Sequence, residues 1–163
     1  VEARSEGHGK GSEFIVRLPI LKSPAPQVRA LPSHPGTTAA HRILVADDNT
    51  NTVTGLALLL GMMGHQVHTA RDGLEAVKVA AAFRPELILL DIGMPRLNGY
   101  DACRRIRAEP WGQGMVIAAL TGWGQDQDKE KSRAAGFDQH LVKPIDSAEL
   151  ERLLDGLQHE TGE

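Results

Sequence analysis

The chain of 163 residues has a single cysteine, no long apolar run and no excess of one charge. Because Cys103 stands alone, no disulfide can form within the chain, which is typical of a reducing compartment. The longest apolar stretch, VTGLALLLGMMG (residues 53–64), is too short to span a bilayer and has helical spacing. With 18 basic and 21 acidic residues, no strong field attracts nucleic acid or an anionic membrane. We therefore expect a cytoplasmic segment that contacts neither.

The composition changes near residue 40, which predicts more than one region. Residues 1–40 hold five of the nine prolines, whereas residues 41–163 carry thirteen basic and eighteen acidic residues. In residues 1–20, VEARSE and EFIVRLPI flank a glycine-rich turn and predict a hairpin, which is marginally stable alone. Residues 21–40 are rich in proline and predict an extended linker. Residues 41–158 carry the periodic apolar pattern of one domain, and 159–163 form a short tail.

The domain of residues 41–158 alternates strand and helix patterns. Five short apolar runs predict strands: RILVA, QVHTA, LILLD, MVIAALT and HLV. The amphipathic segments between and after them predict helices. This alternation is typical of an α/β fold, a parallel sheet with helices on both faces. We expect Met62 in the core, and in the polar helix QDQDKEKSRAA we expect only Ala134 and Ala135 to be buried.

Charged and hydroxyl residues follow the predicted strands where each of them ends. Asp47 and Asp48 follow the first strand, Asp91 ends the third, Thr121 ends the fourth and Lys143 follows the fifth. In a parallel sheet these positions meet at one edge, where ligands bind. Clustered carboxylates favour a hard divalent cation, and Mg²⁺ suits an incomplete shell of oxygen ligands. A metal beside an aspartate and a lysine indicates phosphorylation of that aspartate.

Four blocks, VADDN, LLDIGMPRLNGYD, ALTGWG and HLVKPID, resemble the receiver domain of two-component response regulators over residues 41–158. The resemblance implies a flavodoxin-like, five-stranded parallel sheet of order 2-1-3-4-5 and a phosphoacceptor role for Asp91. It also implies that Lys143 pairs with the phosphoryl group and that Thr121 turns to bond it. His140 would hold the switch position, usually tyrosine or phenylalanine, and could titrate near neutral pH. The bond before Pro144 would be cis.

The same resemblance implies a Mg²⁺ site. Asp48, Asp91 and the backbone carbonyl of Gly93 would bind the ion directly, and Asp47 would act through water. Gly93 and Trp123 stand where the family controls water access to the phosphoryl group, so they bear on its lifetime.

The segment VEARSEGHGKGSEFIVRLPI resembles the last two strands of a histidine-kinase ATPase domain, which implies a receiver from a hybrid sensor histidine kinase. Because the chain lacks the ATP-binding boxes, it would catalyse only its own aspartyl phosphorylation and dephosphorylation, and the parent kinase could be membrane-anchored. Expected partners are a kinase dimerisation and phosphotransfer domain or a histidine phosphotransfer protein, with a weak homodimer as a further form. The alternative is a non-phosphorylated interaction module. A haloacid-dehalogenase-type phosphatase needs a second acid where Gly93 stands, and a free-standing regulator would not explain the kinase-like segment.

Overall fold

A computed structural model describes residues 2–5, 7, 11, 13–15, 40–122 and 126–160. The chain divides into two compact units, residues 1–37 and 38–163. In the first unit, strands β1 (Glu2–Arg4) and β2 (Glu13–Ile15) pair antiparallel, as the sequence predicts for a hairpin. The predicted linker, apart from residue 40, lies outside the described residues, as do Trp123 and residues 161–163.

The second unit is built on a five-stranded parallel sheet, which confirms the predicted fold class. Its strands are β3 (Arg42–Ala46), β4 (Gln66–Ala70), β5 (Leu87–Asp91), β6 (Val116–Thr121) and β7 (Gln139–Val142). Their order across the sheet is β4-β3-β5-β6-β7, the predicted order 2-1-3-4-5. Every residue of β5 is buried, because this central strand is covered on both faces.

Five helices cover the two faces of the sheet. They are α1 (Thr50–Met62), α2 (Gly73–Phe83), α3 (Gly99–Ala108), α4 (Asp126–Ala135) and α5 (Ser147–Glu160). Leucines of α1 and α5 form one core with β3, β5, β6 and β7, and small residues of α2, α3 and α4 form the other. None of the described helices is long and apolar enough to cross a bilayer.

Local sequence signals set the helix boundaries. The side chains of Asn49, Asp72 and Asn98 cap α1, α2 and α3 by accepting hydrogen bonds from amides of the first turn. Gly64 and Gly136 follow α1 and α4 with φ of +93° and +97°, a left-handed backbone that glycine adopts without a steric cost.

Two expectations about burial were wrong. Met62 is 70% exposed rather than in the core, because it lies on the outer face of α1 with Leu58, four residues earlier. In α4, Ser132 and Ala135 are buried while Ala134 is exposed, since residues three apart share a helix face.

Candidate functional site

The predicted strand-end residues meet at one edge of the sheet. Asp91 is the last residue of the central strand β5, and Asp47 directly follows the neighbouring strand β3. Thr121 ends β6 on the other side of β5, and Lys143 directly follows β7. Parallel pairing brings these carboxyl ends together, so residues up to 96 positions apart in the sequence share one site.

Three carboxylates form the centre of this site. Oxygen atoms of Asp47, Asp48 and Asp91 lie within 4.8 Å of one another. Asp47 is fully buried and Asp91 is 7% exposed, whereas Asp48 faces solvent. The amide of Asn49 donates to Asp47 Oδ1 and the amide of Gly93 donates to Asp91 Oδ2, each at 2.9 Å. These bonds orient one oxygen of each buried carboxylate and leave the other for a cation.

The ammonium of Lys143 lies between the two buried carboxylates. Its Nζ is 2.6 Å from Asp47 Oδ2 and 2.6 Å from Asp91 Oδ1. At this distance the ammonium can donate to both carboxylates. Lys143 therefore neutralises part of the charge of the two buried carboxylates.

The shifts in the pKa of Asp91 and Lys143 indicate that one ammonium does not offset the burial and the negative charge of the site. Burial raises the pKa of the Asp91 carboxyl and the charge of Asp47 adds to this, against the opposing effects of Lys143 and the Gly93 amide. Burial disfavours the charged form of Lys143, yet hydrogen bonding and attraction to Asp47 and Asp91 leave its pKa above the ordinary value. Ionised Asp91 thus remains disfavoured although a cation touches it.

The donor set fits a divalent cation. When all four groups are ionised, three carboxylates and one ammonium leave two negative charges in the cluster. All of the candidate ligands are oxygens, which favour a hard ion such as Mg²⁺. Gly93 is exposed and lies close to the Asp91 carboxylate, since a β-carbon on it would be 3.4 Å from Asp91 Oδ2.

The remaining predicted residues surround this centre. The Thr121 hydroxyl donates to the carbonyl of Leu141 over a long 3.4 Å, so a better acceptor could displace this bond. His140 is half-buried on β7, opposite Ala119 of β6. The peptide bond between Lys143 and Pro144 is cis, in line with the resemblance.

Sequence reasoning missed two contacts around the site. Arg96, in the loop after β5, forms an ion pair with the buried Asp72 at the start of α2. Gly99 lies so close to the strand that a β-carbon would be 2.3 Å from the carbonyl oxygen of Asp91. Asp72 carries a capping signal and Gly99 follows a cap, but neither signal identifies the distant partner.

Comparisons with known proteins agree with this geometry. The family model of the response regulator receiver domain matches residues 43–155. The transcriptional regulator RpaA of Synechocystis, described as a DNA-binding dual master regulator, is 34% identical over 109 residues, 67% of this chain and 45% of that protein. Response regulator MprA of Mycobacterium ulcerans is 37% identical over 67% of this chain and 46% of its own length. The chain thus spans about half the length of these curated relatives.

Solved receiver structures are similar over the same region. The receiver domain of sensor histidine kinase PA1611 from Pseudomonas aeruginosa, with a magnesium ion in its active-site cleft, is 37% identical with a TM-score of 0.68, covering 73% of this chain and 98% of that one. The receiver of yeast Ssk1, solved with the phosphotransfer protein Ypd1, is 26% identical with a TM-score of 0.66, covering 71% of this chain and 86% of the other. The chain belongs to the response regulator receiver family, whose domains accept a phosphoryl group on an aspartate with Mg²⁺.

Proposed function

We propose that Asp91 accepts a phosphoryl group from a phosphohistidine of a partner protein, with Mg²⁺ bound beside it, in the receiver domain of a hybrid histidine kinase. The observation that carries this proposal is the cluster at the carboxyl edge of the sheet. There three carboxylates lie within 4.8 Å of one another, and the Lys143 ammonium is 2.6 Å from two of them. The aspartate at the end of the central strand therefore lies beside an ammonium that can bind phosphoryl oxygens and beside carboxylates that can bind a metal ion.

The metal would be held by oxygen ligands from two loops. Asp48, Asp91 and the carbonyl of Gly93 would bind Mg²⁺ directly, and Asp47 would act through water. When bound, Mg²⁺ would supply positive charge to the oxygens of the transferring phosphoryl group. The burial of Asp47 and its fixed Oδ1 suit a residue that orients a water rather than one that moves.

The residues of the chain would carry the transfer itself. A carboxylate oxygen of Asp91 forms the new bond to phosphorus while the bond from phosphorus to the donor histidine nitrogen breaks, and that nitrogen leaves with the electron pair. Lys143 would shift its ammonium from the Asp91 carboxylate to a phosphoryl oxygen. The Thr121 hydroxyl, held only by its long bond to Leu141, would turn to another phosphoryl oxygen, and His140 would respond at the switch position.

Intact-mass measurement after incubation with acetyl phosphate and Mg²⁺ tests the proposal. We expect one added phosphoryl group in the wild-type protein, and none in Asp91→Asn or when a chelator removes the metal. Asp101→Asn is a matched control, because Asp101 is an exposed carboxylate on α3 with its own arginine partner and lies outside the cluster. A wild-type protein that gains no mass, and whose amide spectrum beryllofluoride leaves unchanged, would support the alternative of a non-phosphorylated interaction module.

The hybrid-kinase context is supported by two observations. The hairpin of β1 and β2 is the pairing that the kinase-like segment predicts, and one similar structure is the receiver of a sensor histidine kinase. A histidine phosphotransfer protein is the partner class that this context requires, and the Ssk1 receiver binds such a protein. Within this proposal, residues 1–20 are a kinase remnant, 21–40 a linker, 41–158 the receiver and 159–163 a tail.

Phosphotransfer profiling tests that context. Purified histidine phosphotransfer proteins and kinase phosphotransfer domains from the same genome would be labelled on histidine and mixed with the receiver. We expect rapid transfer with a phosphotransfer protein or with the parent kinase. Transfer from a separate kinase alone would favour a free-standing response regulator instead.

A further inference from the structure

We propose that Arg96 and Asp72 form a positioning pair that fixes the loop between β5 and α3, residues 92–98, and thereby sets the affinity of the site for Mg²⁺. The inference rests on the proposed function, since it concerns the loop that carries Gly93. Neither residue touches the three carboxylates of the cluster, so both would act only through the loop.

The first end of this loop is held by the strand and by α3. The Gly93 amide donates to Asp91 Oδ2 at 2.9 Å, and the Gly99 amide donates to the carbonyl of Ile92 at 3.0 Å. Any side chain at Gly99 would collide with the Asp91 carbonyl oxygen. The backbone beside Asp91 is therefore closely packed, and the orientation of the Gly93 carbonyl depends on the path of the residues that follow it.

The middle of the loop has a backbone that an arginine adopts only under constraint. Arg96 has φ of +63°, in the left-handed region, which costs a residue with a β-carbon about 1 kcal/mol or more. The next residue, Leu97, is buried, and its carbonyl oxygen would be 2.1 Å from a β-carbon on Gly73. The loop is thus pressed against the first residue of α2, and contacts outside the loop must hold Arg96 in this conformation.

Asp72 supplies the fixed end of the pair. Its side chain is 1% exposed, and its Oδ1 accepts hydrogen bonds from the amides of Leu74 and Glu75 at 2.9 and 3.0 Å. These bonds lock the carboxylate to the start of α2 and leave Oδ2 to the Arg96 guanidinium. A buried carboxylate needs a cation, so Asp72 draws Arg96 and its loop towards α2. Arg96 itself is 66% exposed, which makes it the end that can be changed without opening the core.

Loss of the pair should weaken metal binding without removing a ligand. Residues that orient metal ligands typically change metal affinity by about tenfold or more when they are replaced. We expect the dissociation constant for Mg²⁺ to rise about tenfold in Arg96→Gln. Asp72→Asn should have a similar effect, because asparagine can still cap α2 through its oxygen but carries no charge for the guanidinium. The double variant should resemble the single ones, since each removes the same contact.

The experiment uses the full chain and Mg²⁺ alone, followed through amide chemical shifts, with hydrogen exchange of the Gly93 amide measured in the metal-free protein. Arg104→Gln is the matched control, because it removes an exposed arginine–aspartate pair on α3 that does not involve the loop. We expect faster Gly93 exchange and weaker Mg²⁺ binding in both loop variants, with wild-type values in the control. Chemical-shift dispersion shows that each variant is folded.

Two contrary results are distinguishable. If the wild-type protein binds Mg²⁺ and both loop variants bind it equally well with unchanged Gly93 exchange, the positioning pair is overturned while the proposed function stands. If the wild-type protein binds no Mg²⁺, the proposed function fails and the effect on affinity fails with it. Whether or not the wild-type protein binds Mg²⁺, unchanged hydrogen exchange of the Gly93 amide in the loop variants would show that the pair of Arg96 and Asp72 does not fix the loop.

Discussion

The five-stranded sheet has a charged cluster at each of its two ends, and the clusters differ in how their charges are matched. At the carboxyl edge, three carboxylates lie together with one ammonium, which contacts two of them. At the amino edge, a single guanidinium, that of Arg107, donates to backbone carbonyls before β6 and β7 and to the Asp138 carboxylate.

We infer from this difference that the cluster at the carboxyl edge serves binding and that the Arg107 cluster serves stability. Asp138 Oδ2 also accepts a hydrogen bond from the amide of Ile117, so the guanidinium and the strand hold the same carboxylate oxygen. The one carboxylate among the contacts of Arg107 thus has a guanidinium of its own. The carboxyl edge instead keeps an excess of acceptors, which is unfavourable in the free protein and available to a metal. Three carboxylates with one ammonium at the carboxyl edge, against one carboxylate with one guanidinium in the Arg107 cluster, indicate that the carboxyl edge is the functional end.

The largest expected effect is the loss of stability when Arg107 is replaced. In Arg107→Met, the carbonyls of Gly112, Met115 and Gly136 lose their donor, and Asp138 keeps a charge without its cation. We expect a loss of about 3 kcal/mol in the free energy of unfolding, measured with urea, because several partly buried acceptors are left unsatisfied together.

Phosphorylation measured at low temperature, where the variant is folded, should keep its wild-type rate. The exposed neighbour provides a control: Arg105→Met should change the free energy of unfolding by less than about 0.5 kcal/mol. If Arg107→Met instead lost phosphorylation while it remained folded, the assignment of stability to one edge and of binding to the other would be wrong.

At the carboxyl edge, Lys143→Met should make stability depend on the metal. Without the ammonium, the buried carboxylates Asp47 and Asp91 have no cation, and we expect a loss of about 2 kcal/mol in metal-free buffer. Millimolar Mg²⁺ should restore more stability to the variant than to the wild-type protein, because no ammonium already neutralises the carboxylates that the metal would neutralise. Thermal unfolding with and without Mg²⁺ measures this, and an equal Mg²⁺ effect in both proteins would contradict it.

Asp91→Asn should stabilise the metal-free protein by a smaller amount. Burial raises the pKa of the Asp91 carboxyl, so the ionised carboxylate is less stable in the folded state than in the unfolded chain. The folded state binds this proton more tightly than the unfolded chain does, so the wild-type protein gains stability relative to the variant as the pH falls. The advantage of the variant should therefore shrink as the pH falls through the folded pKa towards 3.8. Urea unfolding at several pH values should show the unfolding free energies of the two proteins converging as the pH falls. A difference that stays constant with pH would show that the raised pKa of Asp91 is not the cause.

The smallest effect should come from a histidine at the amino edge. His65 Nδ1 accepts a hydrogen bond from the amide of His41 at 3.2 Å, and burial, with the neighbouring His41, lowers the pKa of His65 below 6.5. The unfolded chain therefore takes up a proton that the folded state resists, and stability falls as the pH drops below 6.5. In His65→Asn the oxygen can still accept the bond but cannot titrate.

We expect the unfolding free energy of His65→Asn to depend less on pH than that of the wild-type protein between about pH 7 and pH 5. Phosphorylation should not change, since the residue precedes β4 at the amino edge. Identical pH profiles for the two proteins would assign the acid sensitivity to another group.

Much of the fold was predictable because burial follows local periodicity. The runs RILVA and LILLD predict strands covered on both faces, and each is buried along nearly its whole length. The site was predictable for a related reason, since parallel strands bring their carboxyl ends to one edge whatever the details of packing. Met62 shows where periodicity fails: a short uncharged helix offers apolar residues on more than one face, and only packing decides which face is buried.

The sequence by itself therefore determined the alternation of strands and helices and the residue types available at the carboxyl edge. The tertiary structure decided which charges meet. Lys143 bridges Asp47 and Asp91, Arg96 reaches Asp72, and Arg107 gathers the carbonyls of the opposite edge. Hydrophobic patterning is repeated along a segment and can be recognised within it, whereas an ion pair depends on single side chains that only the packed sheet brings within a few ångströms.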